Sequence, residues 1–350
     1  MKRILLILAI LFLNTGNVFS NNLYPINDKS GGGFIDNKGN IIIEQKFNFA
    51  FRFIGNYAIV QSKNQKYGII DKNGKIVLNF EYEDLSDLSE NFVIYKENNK
   101  YGIIDIEKNI KSKAIYDKIR PFKEGLAAVC INNKWGFINK KGEIVIEAKY
   151  FDVSNFSDGL AAISYEKYKT AGYINKNGKI AISFNENNLD PKEFKEGLAP
   201  VLKGEDKSCS YINKKGKIVI DKAKIDPVNS YCGNFYEGLR VVFIDNDPRN
   251  ILTGYMDKKG KIKYSMLFSI PENVSEGEFN AFEDFNSNMA QITIDYKTGY
   301  INKEFKLVIP PIYEFAHDFI GDLAYVKFEN KEGYINKKGE WVWSKEREGM

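Results

Sequence analysis

Residues 134–146 read Lys-Trp-Gly-Phe-Ile-Asn-Lys-Lys-Gly-Glu-Ile-Val-Ile. Within this stretch, Asn139-Lys140-Lys141-Gly142 has an Asn at its start and a Gly at its end, the pattern of a type I turn closed by a G1 bulge. Apolar runs at 136–138 and 144–146 flank the turn, as strands flank a hairpin loop. The stretch therefore predicts a β-hairpin.

The same hairpin pattern recurs nine times along the 350 residues. The leading positions of the copies are Gly33, Gly68, Gly102, Gly136, Gly172, Ser210, Gly254, Gly299 and Gly333. They are separated by 35, 34, 34, 36, 38, 44, 45 and 34 residues. A repeat of about 34 residues indicates a repeat architecture, and the longer spacings place insertions near 226–234, 243–252 and 265–284.

A third strand and a connector precede each hairpin. In the fourth copy the strand is Leu126-Ala127-Ala128-Val129, and the connector before it is Phe122-Lys123-Glu124-Gly125. The last connector position holds Gly, Asn or Asp in the other copies, which predicts left-handed backbone there, because these residues tolerate positive φ. Each unit is therefore predicted to be a three-stranded antiparallel meander, with the connector Phe packed into the core beneath it.

The motif resembles the WG (KWG) repeat of bacterial proteins. Besides the segment at Trp135, Lys66-Tyr67-Gly68 and Lys100-Tyr101-Gly102 are aromatic variants of the same signature. The resemblance covers residues 21–343. It implies a scaffold or interaction module, and the family has no common catalytic residues to transfer.

The whole chain is predicted to be an all-β tandem array of nine such units. A unit of this length cannot bury a stable core alone, so neighbours must stack. We favour an open solenoid or superhelix, because propeller blades usually have four strands and the pattern shows three. In addition, the first unit finds its own leading strand at 23–26, so no blade has to be split between the termini. A closed propeller-like ring is the alternative.

The start of the chain predicts export. Lys2 and Arg3 precede an apolar run at 4–13, and Val18-Phe19-Ser20 offers a cleavage site before Asn21. We expect a signal peptide at 1–20, the repeat domain at 21–343 and a polar tail at 344–350. The mature protein should be periplasmic or extracellular, with no integral membrane segment after cleavage.

Composition argues against several classes of function. The chain has 50 Lys and Arg against 46 Asp and Glu, and no long basic block of the kind that binds nucleic acid. Its single His317 aligns with the variable connector and is expected to face solvent. No P-loop, dinucleotide fingerprint or nucleophile elbow occurs. We therefore predict a protein that is not an enzyme, with no catalytic residues, no cofactor and no metal.

Three cysteines are present. Cys130 lies in a predicted strand and is expected to be a small buried residue. Cys209 and Cys232 can pair in an oxidising compartment, although sequence alone does not establish the bond.

One aromatic position recurs directly after the leading glycine. Its members are Phe137, Tyr173, Tyr211, Tyr255, Tyr300 and Tyr334. This aromatic ladder lies on the strand face opposite a second ladder, which is safer to assign to the core: Ile138, Ile174, Ile212, Met256, Ile301 and Ile335. The aromatic ladder is either a second packed layer or an exposed stripe that contacts a ligand.

Three hypotheses follow for function. The first is a secreted or periplasmic scaffold that binds a protein or peptide through an extended repeat surface. The second is a cell-envelope glycan-binding module that uses an exposed aromatic ladder. The third, remote, is a hydrolase with carboxylates in the late insertions, whose candidate residues are Tyr231, Phe243, Asp245, Asp247, Arg249 and Glu272.

Overall fold

The computed structural model describes residues 22–166, 169–184, 189–203, 208–223, 232–243, 250–269 and 282–347. The predicted signal peptide lies outside these residues. The regular structure of the described residues is entirely β, with 33 strands in nine antiparallel sheets. Each sheet contains one copy of the repeat, and we number the sheets as blades 1 to 9 in chain order. The prediction of nine all-β units is confirmed.

The strands follow one another in chain order within every blade. Blades 1 to 3 contain β1 (Tyr24–Asp28), β2 (Gly31–Ile35), β3 (Ile41–Phe47); β4 (Phe49–Ala50), β5 (Tyr57–Gln61), β6 (Tyr67–Asp71), β7 (Ile76–Tyr82); and β8 (Leu85–Ser89), β9 (Phe92–Glu97), β10 (Lys100–Asp105), β11 (Ile110–Lys111). Blades 4 to 6 contain β12 (Lys118–Ile119), β13 (Leu126–Ile131), β14 (Lys134–Asn139), β15 (Ile144–Tyr150); β16 (Asp152–Val153), β17 (Leu160–Glu166), β18 (Lys169–Asn175), β19 (Ile180–Ser183); and β20 (Leu189–Pro191), β21 (Leu198–Lys203), β22 (Ser208–Asn213), β23 (Ile218–Ala223). Blades 7 to 9 contain β24 (Leu239–Phe243), β25 (Asn250–Asp257), β26 (Ile262–Ser269); β27 (Met289–Ile294), β28 (Lys297–Asn302), β29 (Leu307–Tyr313); and β30 (Phe315–Ala316), β31 (Leu323–Phe328), β32 (Lys331–Asn336), β33 (Trp341–Glu346).

The count of three strands per unit was incomplete. Six blades have a fourth, short strand at the start, formed by residues that the sequence pattern places between units. In blade 4, β12 pairs with β13 through Lys118 with Cys130 and Ile119 with Val129. Within the described residues, blades 1, 7 and 8 have three strands. The last strand, β33, extends to Glu346, so its end belongs to blade 9 and not to the predicted tail.

The hairpin turn has the predicted form. The side-chain oxygen of Asn139 accepts hydrogen bonds from the backbone N–H groups of Lys141 at 2.9 Å and Glu143 at 3.1 Å. Gly142 has a φ of 78°, in the left-handed region. In blade 8 the left-handed position is held by Phe305, with a φ of 58°. The turn therefore tolerates loss of the glycine where the replacing side chain packs, and Phe305 stacks on Tyr264 at 5.1 Å.

The connector of blade 4 contains two left-handed residues, where the sequence pattern predicted one. Both Glu124 and Gly125 have positive φ, 52° and 85°, and Lys123 and Leu126 exchange backbone hydrogen bonds across them. Two consecutive left-handed residues define a type I′ turn. The predicted left-handed position is confirmed in blades 3 to 8, where the residue before it is left-handed as well. In blades 2 and 9 the positive φ falls one position earlier, on Gly55 and Gly321, and not on the predicted Asn56 and Asp322. Phe122 is buried, as expected of a side chain that packs beneath the connector.

The leading glycine is required by a bulge in the following strand. Trp135 pairs with Tyr150 and Phe137 pairs with Ile146, so two residue steps on β14 oppose four on β15. The extra residues of β15 cross over Gly136, where an added Cβ would lie 2.4 Å from the carbonyl oxygen of Ile146. In blade 6 the corresponding pairs are Cys209 with Ala223 and Tyr211 with Ile220, one residue fewer, which leaves room for Ser210.

We expect Gly136→Ala to lower the free energy of unfolding by about 2 kcal/mol, because the new methyl group collides with backbone that cannot rotate away. Gly142→Ala is the matched control, since open space surrounds a Cβ there and only the left-handed φ opposes it, at a cost of about 1 kcal/mol. Urea unfolding of both variants tests this, and an equal or smaller loss for Gly136→Ala would contradict the steric explanation.

The blades close into a ring. The buried side chains form nine hydrophobic clusters, each made by two consecutive blades. An open array of nine units has only eight such interfaces. The ninth cluster joins Leu323 and Tyr334 of blade 9 to Tyr24, Ile26 and Ile35 of blade 1. The protein is therefore a closed nine-bladed β-propeller, and the expectation of an open solenoid was wrong.

The ring closes without a split blade. All of β1, β2 and β3 come from the start of the described chain, so no strand from the C-terminal part completes blade 1. Instead, side chains join the two blades: the Tyr334 hydroxyl donates to the Pro25 carbonyl at 2.9 Å, and the Lys345 ammonium donates to the Asn27 carbonyl at 2.7 Å. The sequence analysis argued against a closed ring because no blade is split between the termini. The ring nevertheless closes, because the facing sides of blades 9 and 1 pack together through side chains without exchanging a strand.

Candidate functional site

The connectors and the hairpin turns lie on the same face of the ring, which we call the connector face. This follows from the antiparallel order, because the first and third strand-to-strand turns of a meander are at the same end. Contacts agree: the Lys176 ammonium, on the hairpin turn of blade 5, donates to the carbonyl of Glu124 on the connector of blade 4 at 2.9 Å. It also lies 3.1 Å from the Glu124 carboxylate.

Neighbouring connectors are linked by a recurring contact, which we call the connector clasp. The acidic residue at the third connector position accepts a hydrogen bond from the backbone N–H at the fourth position of the next connector. The pairs are Glu90 with Gly125 at 3.0 Å, Glu124 with Gly159 at 3.0 Å, Asp158 with Gly197 at 2.6 Å, Glu196 with Gly238 at 2.9 Å and Glu237 with Asn288 at 3.1 Å. A related contact follows between blades 8 and 9, where the Ser287 hydroxyl accepts from the N–H of Gly321, the third residue of its connector, at 2.9 Å. The clasp thus runs from blade 3 to blade 8, and the related contact extends it to blade 9.

Among the described residues, the clasp is not found at the junctions of blades 1 with 2 and 2 with 3, nor at the junction of blades 9 and 1, which we call the seam. Tyr24 takes the place of the connector Phe. Its hydroxyl donates to the Ile320 carbonyl at 3.0 Å and accepts from the Asp322 N–H at 3.1 Å, and its ring lies 5.6 Å from that of Tyr334.

Tyr24 is also an exception in the repeat. The residue at this strand position faces the preceding blade and is a buried alanine in six others: Ala58, Ala127, Ala161, Ala199, Ala290 and Ala324. A tyrosine at a position that is alanine in six other blades is visible in the sequence, but the sequence analysis did not use it. It marks the blade at which the array closes.

A cavity of about 660 Å³ opens at the seam. It spans four blades, from Asn286 on blade 8 to Lys72 on blade 2. Its wall combines cationic, anionic, aromatic and amide groups: Asn22, Tyr24, Arg52, Phe53, Asn56, Lys72, Asn286, His317, Asp318, Tyr325 and Tyr334. Volume and composition suit a small ligand or a few residues of a peptide.

Hydrogen bonding, burial and ring packing constrain several side chains of the cavity wall. Gln291 donates to the Asp318 carboxylate at 2.7 Å. Burial, together with the charge of Glu332, raises the pKa of Tyr325, so its hydroxyl stays protonated and can donate. His317 is exposed, as predicted, and its ring packs edge-on against Phe315 at 4.8 Å. The seam therefore offers hydrogen-bond donors beside apolar walls.

A second cavity, of about 510 Å³, adjoins the first between the hairpin turns of blades 2 and 3. It shares Asn56 and Lys72 with the seam cavity and adds Ile76, Glu107 and Asn109. The two cavities together form a depression that begins at the seam and continues along the connector face.

The aromatic ladder belongs to the packed layer. Phe137, Tyr173, Tyr211, Tyr255, Tyr300 and Tyr334 are at most 9% exposed, so they do not form a surface stripe. The Tyr hydroxyls donate to carbonyls of the next blade: Lys192, Gly233, Glu283, His317 and Pro25, at 2.6 to 2.9 Å. Burial raises the pKa of Tyr255 and Tyr300, which keeps these hydroxyls protonated. The ladder joins successive blades.

The late insertions fall mostly outside the described residues. Of the residues singled out there, Tyr231, Asp245, Asp247, Arg249 and Glu272 are not described, and Phe243 ends β24. Two carboxylates at the edge of the last insertion are perturbed: burial raises the pKa of Glu283, and burial raises the pKa of Asp284 to about 6. Neither lines the cavities described above. Among the described residues, no group of three His, Cys, Asp or Glu side chains is placed to hold a metal ion.

The three cysteines comprise one disulfide pair and one free thiol. Cys209 and Cys232 form a disulfide, with Cα atoms 5.6 Å apart, that joins β22 to the segment leading into blade 7. Cys130 is a free thiol and is buried, as predicted.

A ring of nine antiparallel blades with buried interfaces on both faces of each sheet defines a β-propeller built from repeats. The WG containing repeat matches residues 33–67, 67–101, 101–135, 135–168, 172–205 and 299–331, more than half of the chain. The chain belongs to the WG repeat family.

One of the similar solved structures supports the propeller architecture. A crystal structure of the eukaryotic initiation factor has a TM-score of 0.59 and 11% identity, covering 93% of this chain and 96% of that chain. The WD40 domain of Toxoplasma gondii coronin has a TM-score of 0.33 and 12% identity, covering 78% of this chain and 72% of that chain. At such identities the first likeness concerns the fold alone. No curated protein matches the chain. Within the described part of the chain, no helix has the length and apolar character to cross a membrane.

Proposed function

We propose that this protein is an exported, non-catalytic scaffold that binds a protein or peptide segment on its connector face, with the seam cavity as the anchor point. The observation that carries the proposal is the seam itself. At this junction Tyr24 stands at the strand position that is alanine in six other blades, and it borders a cavity lined by side chains of blades 8, 9, 1 and 2. A functional site in a repeat protein is expected where the repeat is broken.

The chemistry of the cavity favours a peptide. Arg52 and Lys72 provide positive charge, His317 and Tyr325 provide donors, and Phe53 provides an apolar wall. Asn side chains on three blades, Asn22, Asn56 and Asn286, can pair with backbone amides of an extended segment. The burial of the aromatic ladder counts against the glycan-binding hypothesis, since the rings needed for stacking on a sugar are covered.

Export is supported by two features. The residues preceding Asn21 have the order of a signal peptide. The disulfide between Cys209 and Cys232 is a bond that persists in oxidising compartments.

The test is a selection of peptides on the oxidised, purified chain from a randomised display library, followed by affinity measurement by fluorescence anisotropy. Selected peptides should lose affinity by about tenfold or more for the double variant Arg52→Glu with His317→Ala, the loss expected when a charged contact is reversed. Both side chains are exposed, so the fold should be retained. Lys134→Glu is the matched control, because it makes the same charge reversal on the opposite face.

Peptides that bind the double variant as tightly as the native chain would overturn the seam as the binding site. A selection that enriches no peptide over the unselected library would overturn the proposal of peptide binding.

A further inference from the structure

An apolar residue is exposed at the same position of every blade. It is the first residue of the last strand, directly after the hairpin turn, and it is 36 to 59% exposed in all nine copies. These residues are Ile41, Ile76, Ile110, Ile144, Ile180, Ile218, Ile262, Leu307 and Trp341. Four are followed by a second exposed apolar side chain, at Ile42, Val145, Val219 and Val308. Isolated exposed apolar residues are ordinary on a protein surface, but a complete set at equivalent positions marks an interaction surface.

The hairpin turns beside these residues are strongly basic. Counted over residues 36–40, 71–75, 105–109, 139–143, 175–179, 213–217, 257–261, 302–306 and 336–340, the turns contain 18 Lys and eight Asp or Glu. Their net charge is +10, so the remainder of the chain carries −6, because the whole chain carries +4. Lysines that are dispersed along the sequence, with no long basic block, are therefore gathered on one face by the closed fold.

Part of this charge is neutralised by the connector clasp. Lys140, Lys176, Lys258 and Lys303, at the second turn position, form ion pairs with acids of the preceding connector at 3.0 to 3.6 Å. The lysines at the third position, Lys38, Lys141, Lys215, Lys259 and Lys338, are exposed beside the apolar residues. We call the nine exposed apolar residues and the turn lysines together the crown.

We propose that the crown docks the ring on an anionic lipid surface, with the connector face toward the membrane. Lysines attract the headgroups, and the exposed Ile and Leu side chains enter the boundary between headgroups and acyl chains, as in other interfacial anchors. This goes beyond the proposed peptide site, since it depends on all blades and not on the seam.

The repetition favours a lipid surface over a protein partner. The crown presents the same chemistry nine times around the ring, whereas a folded protein partner would meet different residues at different blades. A lipid surface is itself uniform and fluid, so each blade can make the same contact. The mixture of exposed apolar residues with lysines also fits an interface better than a soluble polyanion, which would be bound by charge alone.

The test uses the purified chain and flotation with two kinds of vesicle, phosphatidylcholine alone and phosphatidylcholine mixed with phosphatidylglycerol. We expect binding only to the anionic vesicles, weakening as salt is added. The triple variant Lys141→Glu, Lys215→Glu, Lys259→Glu should reduce binding by about tenfold or more, as expected for loss of several surface lysines. The triple variant Ile144→Thr, Ile218→Thr, Ile262→Thr, in the same blades, should also reduce binding while retaining β-branched residues in the strands.

The matched control is Lys63→Glu, Lys134→Glu, Lys331→Glu, which makes the same charge change with exposed lysines on the opposite face. It should bind as the native chain does, and circular dichroism should show the same fold for all variants. Absence of binding to anionic vesicles at low salt, or an equal loss in the control, would overturn the proposal. Binding to soluble polyglutamate without binding to vesicles would also overturn it and indicate an acidic protein partner instead. The vesicle assays contain no peptide, so their outcome distinguishes failure of the crown from failure of peptide binding at the seam, although both sites lie on the connector face.

Discussion

Replacement of Tyr24 by Ala is expected to open the ring at the seam and to lower the free energy of unfolding by about 4 kcal/mol, as for deletion of other large buried aromatic side chains. The Tyr24 side chain is only 4% exposed and packs against blade 9 in the ninth hydrophobic cluster. Its removal leaves a void and also deprives the Ile320 carbonyl and the Asp322 N–H of their partner.

Two measurements check this prediction. Urea unfolding gives the loss of stability, and small-angle X-ray scattering gives the radius of gyration, which should increase if blades 9 and 1 separate. Tyr24→Phe is a control that keeps the ring and removes only the hydroxyl, at a cost of about 1 kcal/mol. Phe194→Ala is a second control, because it deletes a buried aromatic ring between blades 5 and 6 and leaves the seam intact. Equal expansion of the Phe194 variant, or a Tyr24→Ala variant as stable as Tyr24→Phe, would contradict closure through Tyr24.

The repeat unit could be predicted from sequence because its determinants are local. The turn at Asn139 depends on an acceptor side chain, and on a residue at Gly142 that tolerates a left-handed backbone, both within five residues. The connector Phe and the strand alternation are equally local. Such features recur nine times, so chance matches are averaged out, and the structure confirms the hairpin, the left-handed connector position and the packed Phe.

Closure of the ring could not be predicted in the same way, because it depends on contacts between the two ends of the described chain. Tyr24 and Ile320 are separated by 296 residues, and Lys345 and Asn27 by 318. The strand count was misleading as well, since a two-residue strand such as β12 has no hydrophobic period that a pattern can detect. The clue that was available, Tyr24 in a column of alanines, has meaning only once the position is known to face a neighbouring blade.

The aromatic ladder was ambiguous for a related reason. Alternation along a strand separates two faces but does not say whether one or both are buried. In a propeller each blade is packed on both faces, so Phe137 contacts the following blade and Ile138 the preceding one. The seam cavity was not predicted, because its wall joins side chains of blades 8, 9, 1 and 2 that lie far apart in the sequence and share no motif.

Removal of the disulfide is the other change with a large expected effect. The double variant Cys209→Ser with Cys232→Ser should lose about 3 kcal/mol of stability, because the bond closes a loop and restricts the unfolded chain. The sequence separation is 23 residues, and the segment between includes the hairpin of blade 6. Addition of a reductant to the native chain should lower its urea midpoint to that of the double variant.

Thiol counting makes the same prediction independently of stability. The denatured, unreduced native chain should titrate as one thiol, that of Cys130, and the reduced chain as three. Cys130→Ala is the control, since it should leave no titratable thiol before reduction and should not alter the response to reductant. Three thiols in the unreduced chain purified from an oxidising compartment would contradict the bond. A midpoint unchanged by reductant would show instead that blade 6 and the segment before blade 7 are held by noncovalent contacts, among them the packing of Tyr211 on Phe235, whose rings lie 5.0 Å apart.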